Sequence, residues 1–155
     1  MSRSRLLVEV DCVTTSEDVP DRQSLIDWVR AAVGSKDRGE VVVRIVDEVE
    51  SASLNERYRG RDGATNVLAF EADPQAAALD PVPPIGDLVV CAPVVAREAL
   101  DQGKASRAHW AHIVVHGALH LVGYDHESED EAREMESKER EVLARLGYPD
   151  PYGTP

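Results

Sequence analysis

Three histidines in "HGALHLVGYDH", His116, His120 and His126, stand at i, i+4 and i+10. On a helix an i, i+4 pair is separated by about 6 Å along the axis, so two imidazoles can face one ion. Gly123 can adopt the left-handed conformation that ends a helix and turns the chain back, bringing His126 round as a third ligand. This is the ligand spacing of a long zinc-protease motif, but the glutamate that such a motif carries after its first histidine is here Gly117. Three imidazoles suit zinc, with nickel or copper as chemical competitors. They leave a fourth position open, which points to a catalytic rather than a structural ion. Zinc can lower the pKa of a bound water to about 7. Peptide hydrolysis also needs the leaving amine protonated, which the glutamate would do, whereas a phosphodiester needs its developing negative charge balanced. Gly117 therefore argues against a peptidase and leaves phosphate chemistry open.

His109 and His112 share the helix with His116 and His120, and at about 100° per residue all four fall within an arc of roughly 80°. No third ligand is evident for a His112–His116 pair, so His109 and His112 are read as core, supporting or substrate-facing residues. A cation to balance phosphate charge is available in "LNERYRGRDGATNVLAF", residues 54–70. Arginine suits bidentate phosphate recognition. Arg57 and Arg61 read as solvated charges, and Arg59 lies between them beside Tyr58 and Gly60.

These residues need elements to position them. Residues 5–13, 39–47, 66–71 and 87–93 read as strands, being rich in β-branched and aliphatic types. Helical stripes predict helices over 20–33, 48–60, 94–103, 107–122 and 127–146. Asp18 or Asp21 is the expected cap of the first and Ser106 of the fourth. In the last, Ala132, Met135, Val142, Leu143 and Leu146 mark a buried side, and the acids from Glu127 to Glu141 a solvated face. The proline-rich stretch 72–86 reads as a surface loop. Strands early and helices late make the expected fold α+β: a small mixed sheet of about four strands surrounded by helices, within a single metal-dependent hydrolase domain over 1–155.

The composition agrees with a globular chain: 155 residues, 43% apolar and 30% charged. No apolar run approaches the roughly 20 residues of a membrane span, and the N-terminus lacks the apolar stretch of a signal peptide, so the expected compartment is the cytoplasm. Cys12 and Cys91 are expected as buried, reduced thiols. The net charge of −12 argues against a generic nucleic-acid coat. Half of it lies in residues 125–150, with ten acids against four bases.

At this point the sequence resembles the YbeY endoribonucleases, bacterial rRNA maturation factors. "HGALHLVGYDH" is similar to the family signature, "LNERYRGRDGATNVLAF" to the segment ahead of its third strand, "IGDLVVCAPVVAREA" to its next strand and helix, and "AHWAHIVVHGALHLVGYDH" to its metal-binding helix and loop. The C-terminal "LGYPDPY" is similar too. The resemblance implies a zinc-dependent, single-strand-specific endoribonuclease, one Zn²⁺ per chain, acting in 16S rRNA 3′-end maturation and ribosome quality control. It implies His116, His120 and His126 as ligands, His116 and Arg59 as catalytic residues, and a zincin-like metal-binding helix. It also implies as partners the 16S rRNA precursor, the small subunit with one of its proteins, and the GTPase Era; neither membrane nor DNA is expected. Two other readings stand beside it. One is a zinc peptidase in which Asp125 or another acid replaces the usual glutamate. The other is a non-catalytic ribosome-assembly module with a structural zinc and Arg57, Arg59 and Arg61 on RNA.

Overall fold

A computed structural model describes residues 6–34, 39–73, 75 and 82–153. Its elements run β1 (Leu6–Cys12), α1 (Arg22–Val33), β2 (Gly39–Val46), α2 (Glu48–Arg59), β3 (Val67–Glu71), β4 (Pro84–Cys91), α3 (Ala92–Gln102), α4 (Ser106–Leu121) and α5 (Glu129–Leu146). The fold is α+β, with one four-stranded mixed sheet in the order β1-β2-β4-β3. β1, β2 and β4 are parallel, and β3 runs antiparallel to β4 with Val67 opposite Val90 and Glu71 opposite Gly86.

Side chains alternate across a strand, so each strand feeds both faces of the sheet. Val41, Val43 and Ile45 of β2 join Leu88 and Val90 of β4 in the main core, which α1, α4 and α5 cover. Val46, Leu68, Val89 and Cys91 point the other way into a smaller cluster with Val94 and Leu54. Helix α4 is buried on most of its circumference, from Trp110 to Leu121, because it lies between the sheet and the other helices of the main core. Beyond its first turn only its histidine stripe reaches toward solvent: His112, His116 and His120 are half-buried.

Several boundaries differ from the sequence reading. β4 begins at Pro84 rather than at 87, where β2 pairs with it across a register shift at Glu40/Val41. A proline with no N–H is tolerated at a strand's first residue. The rest of the expected 72–86 loop lies largely outside the described residues. Helix α1 starts at Arg22, two residues late; Asp21 occupies its N-cap position, but its carboxylate accepts from the Ser24 hydroxyl at 2.5 Å and no backbone N–H. Ser106 is the first residue of α4 rather than its cap. Helix α5 starts at Glu129, and the cap there is Ser128, whose hydroxyl accepts from the Glu131 N–H at 3.1 Å. Cys12 is exposed, at the end of edge strand β1; Cys91 is buried, and both are free thiols.

Candidate metal centre and its cleft

Helix α4 presents His116 and His120 one turn apart, and the chain beyond it returns His126. The return is built by the helix end: Tyr124 N–H bonds the Leu119 carbonyl at 3.1 Å, Gly123 N–H bonds that of His120 at 3.1 Å, and Gly123 takes φ +104°, which a side chain would disfavour. The Asp125 carboxylate then accepts from His126 N–H at 2.8 Å. As a result the three imidazoles lie with ring centroids 5.0 to 5.7 Å apart. One ligand-capable atom from each lies within 4.8 Å of the others. Burial first, then the adjacent His116 and His126, hold His120 below the usual imidazole range. A neutral nitrogen is the form that can bind a cation, so the donor set fits a borderline metal ion.

Gly117 packs where the protease glutamate would stand. A Cβ there would meet Leu88 Cδ2 at 2.9 Å and Val67 Cγ2 at 3.0 Å. The helix approaches the sheet too closely for a glutamate unless these side chains move.

The histidines open into a cleft of about 690 Å³ that Asn55, Arg59 and Arg61 also line. Arg59 reaches it from the last turn of α2, which Gly60 closes in a left-handed cap. Its Nη2 donates to the Ala69 carbonyl at 2.5 Å, and its guanidinium lies 5.5 Å from the Phe70 ring centre. No ion pair engages Arg59 among the described residues. Arg61, read as a plain surface charge, is exposed but also lines the cleft; Arg57 is exposed and does not. Asp125 lies on the lining as well.

The two other histidines of the stripe do different work. His109 is buried, with Nε2 2.9 Å from Glu98 Oε1, and Glu98 also accepts from the Asn66 side chain at 3.1 Å. That links α4 through α3 to the start of β3. His112 Nε2 lies 3.0 Å from Oε1 of Glu139, which is also 3.0 Å from His116 Nδ1. Glu139, expected on a solvated face, has 0% exposure. Burial alone would raise its pKa; the bonds from His112 and His116 outweigh this and bring it below the usual carboxylate range. Tyr152 OH also bonds it, and burial, with Glu139 beside it, raises the phenol. The signal for Glu139 was present in the sequence: Met135, Glu139, Val142 and Leu143 are helically spaced on the same side of α5, and the glutamate interrupts an apolar stripe.

An α+β fold whose central helix and following turn bring three imidazoles into one cleft with an arginine that has no ion pair among the described residues defines the class as a candidate metal-site hydrolase. The model of the family described as Endoribonuclease YbeY matches residues 11–147. Relatives named endoribonuclease YbeY include one from Nitrosococcus oceani, 50% identical over 95% of this chain and 97% of its own. One from Pseudomonas putida strain W619 is 53% identical over 89% of this chain and 88% of its own. A solution structure of a Thermotoga maritima protein shares the fold, with a TM-score of 0.56 and 24% identity over 94% of this chain and 99% of that one. The chain belongs to the endoribonuclease YbeY family, a family of nucleases.

Proposed function

We propose that this chain is a zinc-dependent, single-strand-specific endoribonuclease whose ion is held by His116, His120 and His126. The observation that carries the reading is the single cleft that joins this histidine cluster to Arg59. When bound, the ion would supply Lewis acidity and lower the pKa of water at the site. The protein's own part is the balance of charge. Three neutral imidazoles add none, so a phosphodiester gaining negative charge needs a second cation. Among the described residues Arg59 has no carboxylate partner, and Ala69 and Phe70 hold it at the cleft wall. Its planar fork can take two phosphoryl oxygens. The peptidase alternative has no room for a glutamate at Gly117 as the side chains stand and would have to use Asp125, which also lines the cleft.

In keeping with the family resemblance, the substrate in the cell is the 3′ end of precursor 16S rRNA, in the cytoplasm, with roles in ribosome quality control. The small subunit, one of its proteins and the GTPase Era are the expected partners. The test is metal analysis of the purified chain together with cleavage of single-stranded and duplex RNA, with and without chelator. One zinc per chain and chelator-sensitive cleavage of the single strand are expected. Zinc-loaded protein that leaves RNA intact would instead favour the assembly module with a structural ion.

A further inference from the structure

Glu139 is a carboxylate buried behind the histidine stripe, and its partners are unusual. They are two imidazoles and a phenol: His112 Nε2 and His116 Nδ1, each 3.0 Å from Oε1, and Tyr152 OH, 2.9 Å from Oε2 and 3.1 Å from Oε1. Among the described residues its only ion-pair partners are those two histidines; no lysine or arginine pairs with it. A buried carboxylate without a cation is costly unless its hydrogen bonds are complete or a positive charge stands near.

The tautomers follow from the donors. A carboxylate accepts, so the His116 proton sits on Nδ1 and the lone pair on Nε2 is the one left for an ion. A carboxylate behind a ligating imidazole fixes its ring orientation and increases its basicity. We propose that Glu139 is the positioning residue of the metal centre: it fixes the tautomer and direction of His116, while His112 and Tyr152 hold Glu139 in place. His112 is then a tether for the carboxylate and not a ligand. Tyr152 is itself held by the C-terminal turn: its N–H bonds Asp150 Oδ1 at 2.8 Å, Arg140 bonds Asp150 at 3.1 Å, and Lys104 Nζ bonds the Pro151 carbonyl at 3.0 Å. The proposal rests on the metal-site reading above. It gives a role to a C-terminal segment far along the chain from the histidine motif.

His112, His116 and Glu139 also bring ligand-capable atoms within 4.8 Å of one another. As a second ion site this group would require His116 to give up its Nδ1 proton, so the stoichiometry decides between the two.

Two measurements test the proposal. The first is zinc affinity by competition with a chromophoric chelator, for the wild type and for Glu139→Gln, alongside the thermal stability of each metal-free protein. The glutamine keeps the size but loses an acceptor, and affinity should fall about 10- to 100-fold. The metal-free chain should keep its cooperative melting. The second is the histidine side-chain ¹⁵N–¹H correlation spectrum of the metal-free wild type at pH 8, which should show His116 as the Nδ1–H tautomer. Zinc affinity unchanged within twofold in Glu139→Gln, His116 as Nε2–H, or two zinc ions in the wild type and one in the variant would each overturn it. The tautomer readout needs no variant, so a Glu139→Gln chain that failed to fold would still leave the proposal refutable. A wild type that binds no zinc overturns the metal-site reading as well; normal wild-type binding with an unaffected variant overturns this proposal alone.

Discussion

At the scale of single residues the proposed centre would depend on a division of charge. The histidines would serve as ligands, and Arg59 offers the only arginine or lysine charge on the cleft wall besides Arg61 among the described lining residues. A contact made to charge that develops in the transition state is worth roughly 3–4 kcal/mol. Arg59→Ala should therefore lower single-turnover kcat about a hundredfold or more, with RNA affinity changing much less. Arg59→Lys keeps the charge without the planar fork and should restore only part of the rate. Because Arg59 is exposed, its loss should leave the fold and metal content intact. If Arg59→Ala cleaved at the wild-type rate and merely bound more weakly, Arg59 would be a docking contact.

Among the elements, two contacts fix how neighbouring segments lie, the first between helix and sheet. Gly117 lets α4 lie against β3 and β4, with a would-be Cβ 2.9 Å from the fully buried Leu88 and 3.0 Å from Val67. Replacing it by alanine gains about 1 kcal/mol of helix propensity. Overpacking typically costs about 1–3 kcal/mol, and a β-branched valine has little rotamer freedom with which to yield. Gly117→Ala should thus be neutral or destabilising in urea titration, and a clear gain in stability would refute this account of the contact. The second contact ties the turn after β1 to the end of β2. The Asp47 carboxylate accepts from the Thr14 hydroxyl, and from the Thr15 hydroxyl at 2.9 Å and N–H at 3.1 Å. These bonds, the Thr14 hydroxyl first, lower its pKa from 3.8. A depressed carboxylate pKa means stability that is present above the unfolded value and lost as pH falls through the folded one. The melting-temperature difference between wild type and Asp47→Asn should be constant near neutrality and shrink below about pH 3.8; a gap that persisted well into acid would show that the threonine contacts do not depend on the charge.

Across the whole molecule most of the acidic surplus lies off the cleft, whose lining takes only Asp125 and Glu127 from the acid-rich stretch 125–150, with Glu71 from β3. Glu129, Glu131 and Glu134 are exposed on α5 and do not line the cleft. Charges of this kind act through a screened field, whose Debye length is about 8 Å at physiological salt. Neutralising the three should change cleavage by no more than a few-fold. A hundredfold loss would place the outer face of α5 on the path of the RNA. An ion bound only by the folded chain stabilises it by mass action, so chelation should lower the melting temperature, and zinc should restore it in a concentration-dependent way. A melting temperature indifferent to chelator would count against a site that spans α4 and the loop to α5.

Local spacing is what the sequence alone determined. The i, i+4 pair, the glycine that turns the chain and the third histidine all lie within eleven residues of one helix and its cap, and helical periodicity dictates their convergence without reference to the rest of the chain. Strand and helix identities were legible for the same reason, as were Met135, Val142 and Leu143 on the buried side of α5. The tertiary structure decided what depends on distant segments meeting. It placed β3 antiparallel at the sheet edge, which brings Arg59 to the cleft through Ala69 and Phe70. It pressed Gly117 against Val67 and Leu88. It also turned Glu139 from one acid among many on α5 into the buried acceptor behind His112 and His116. Periodicity says which side of a helix is buried; which groups wait there to satisfy a buried charge is settled only when helices separated in sequence pack against each other.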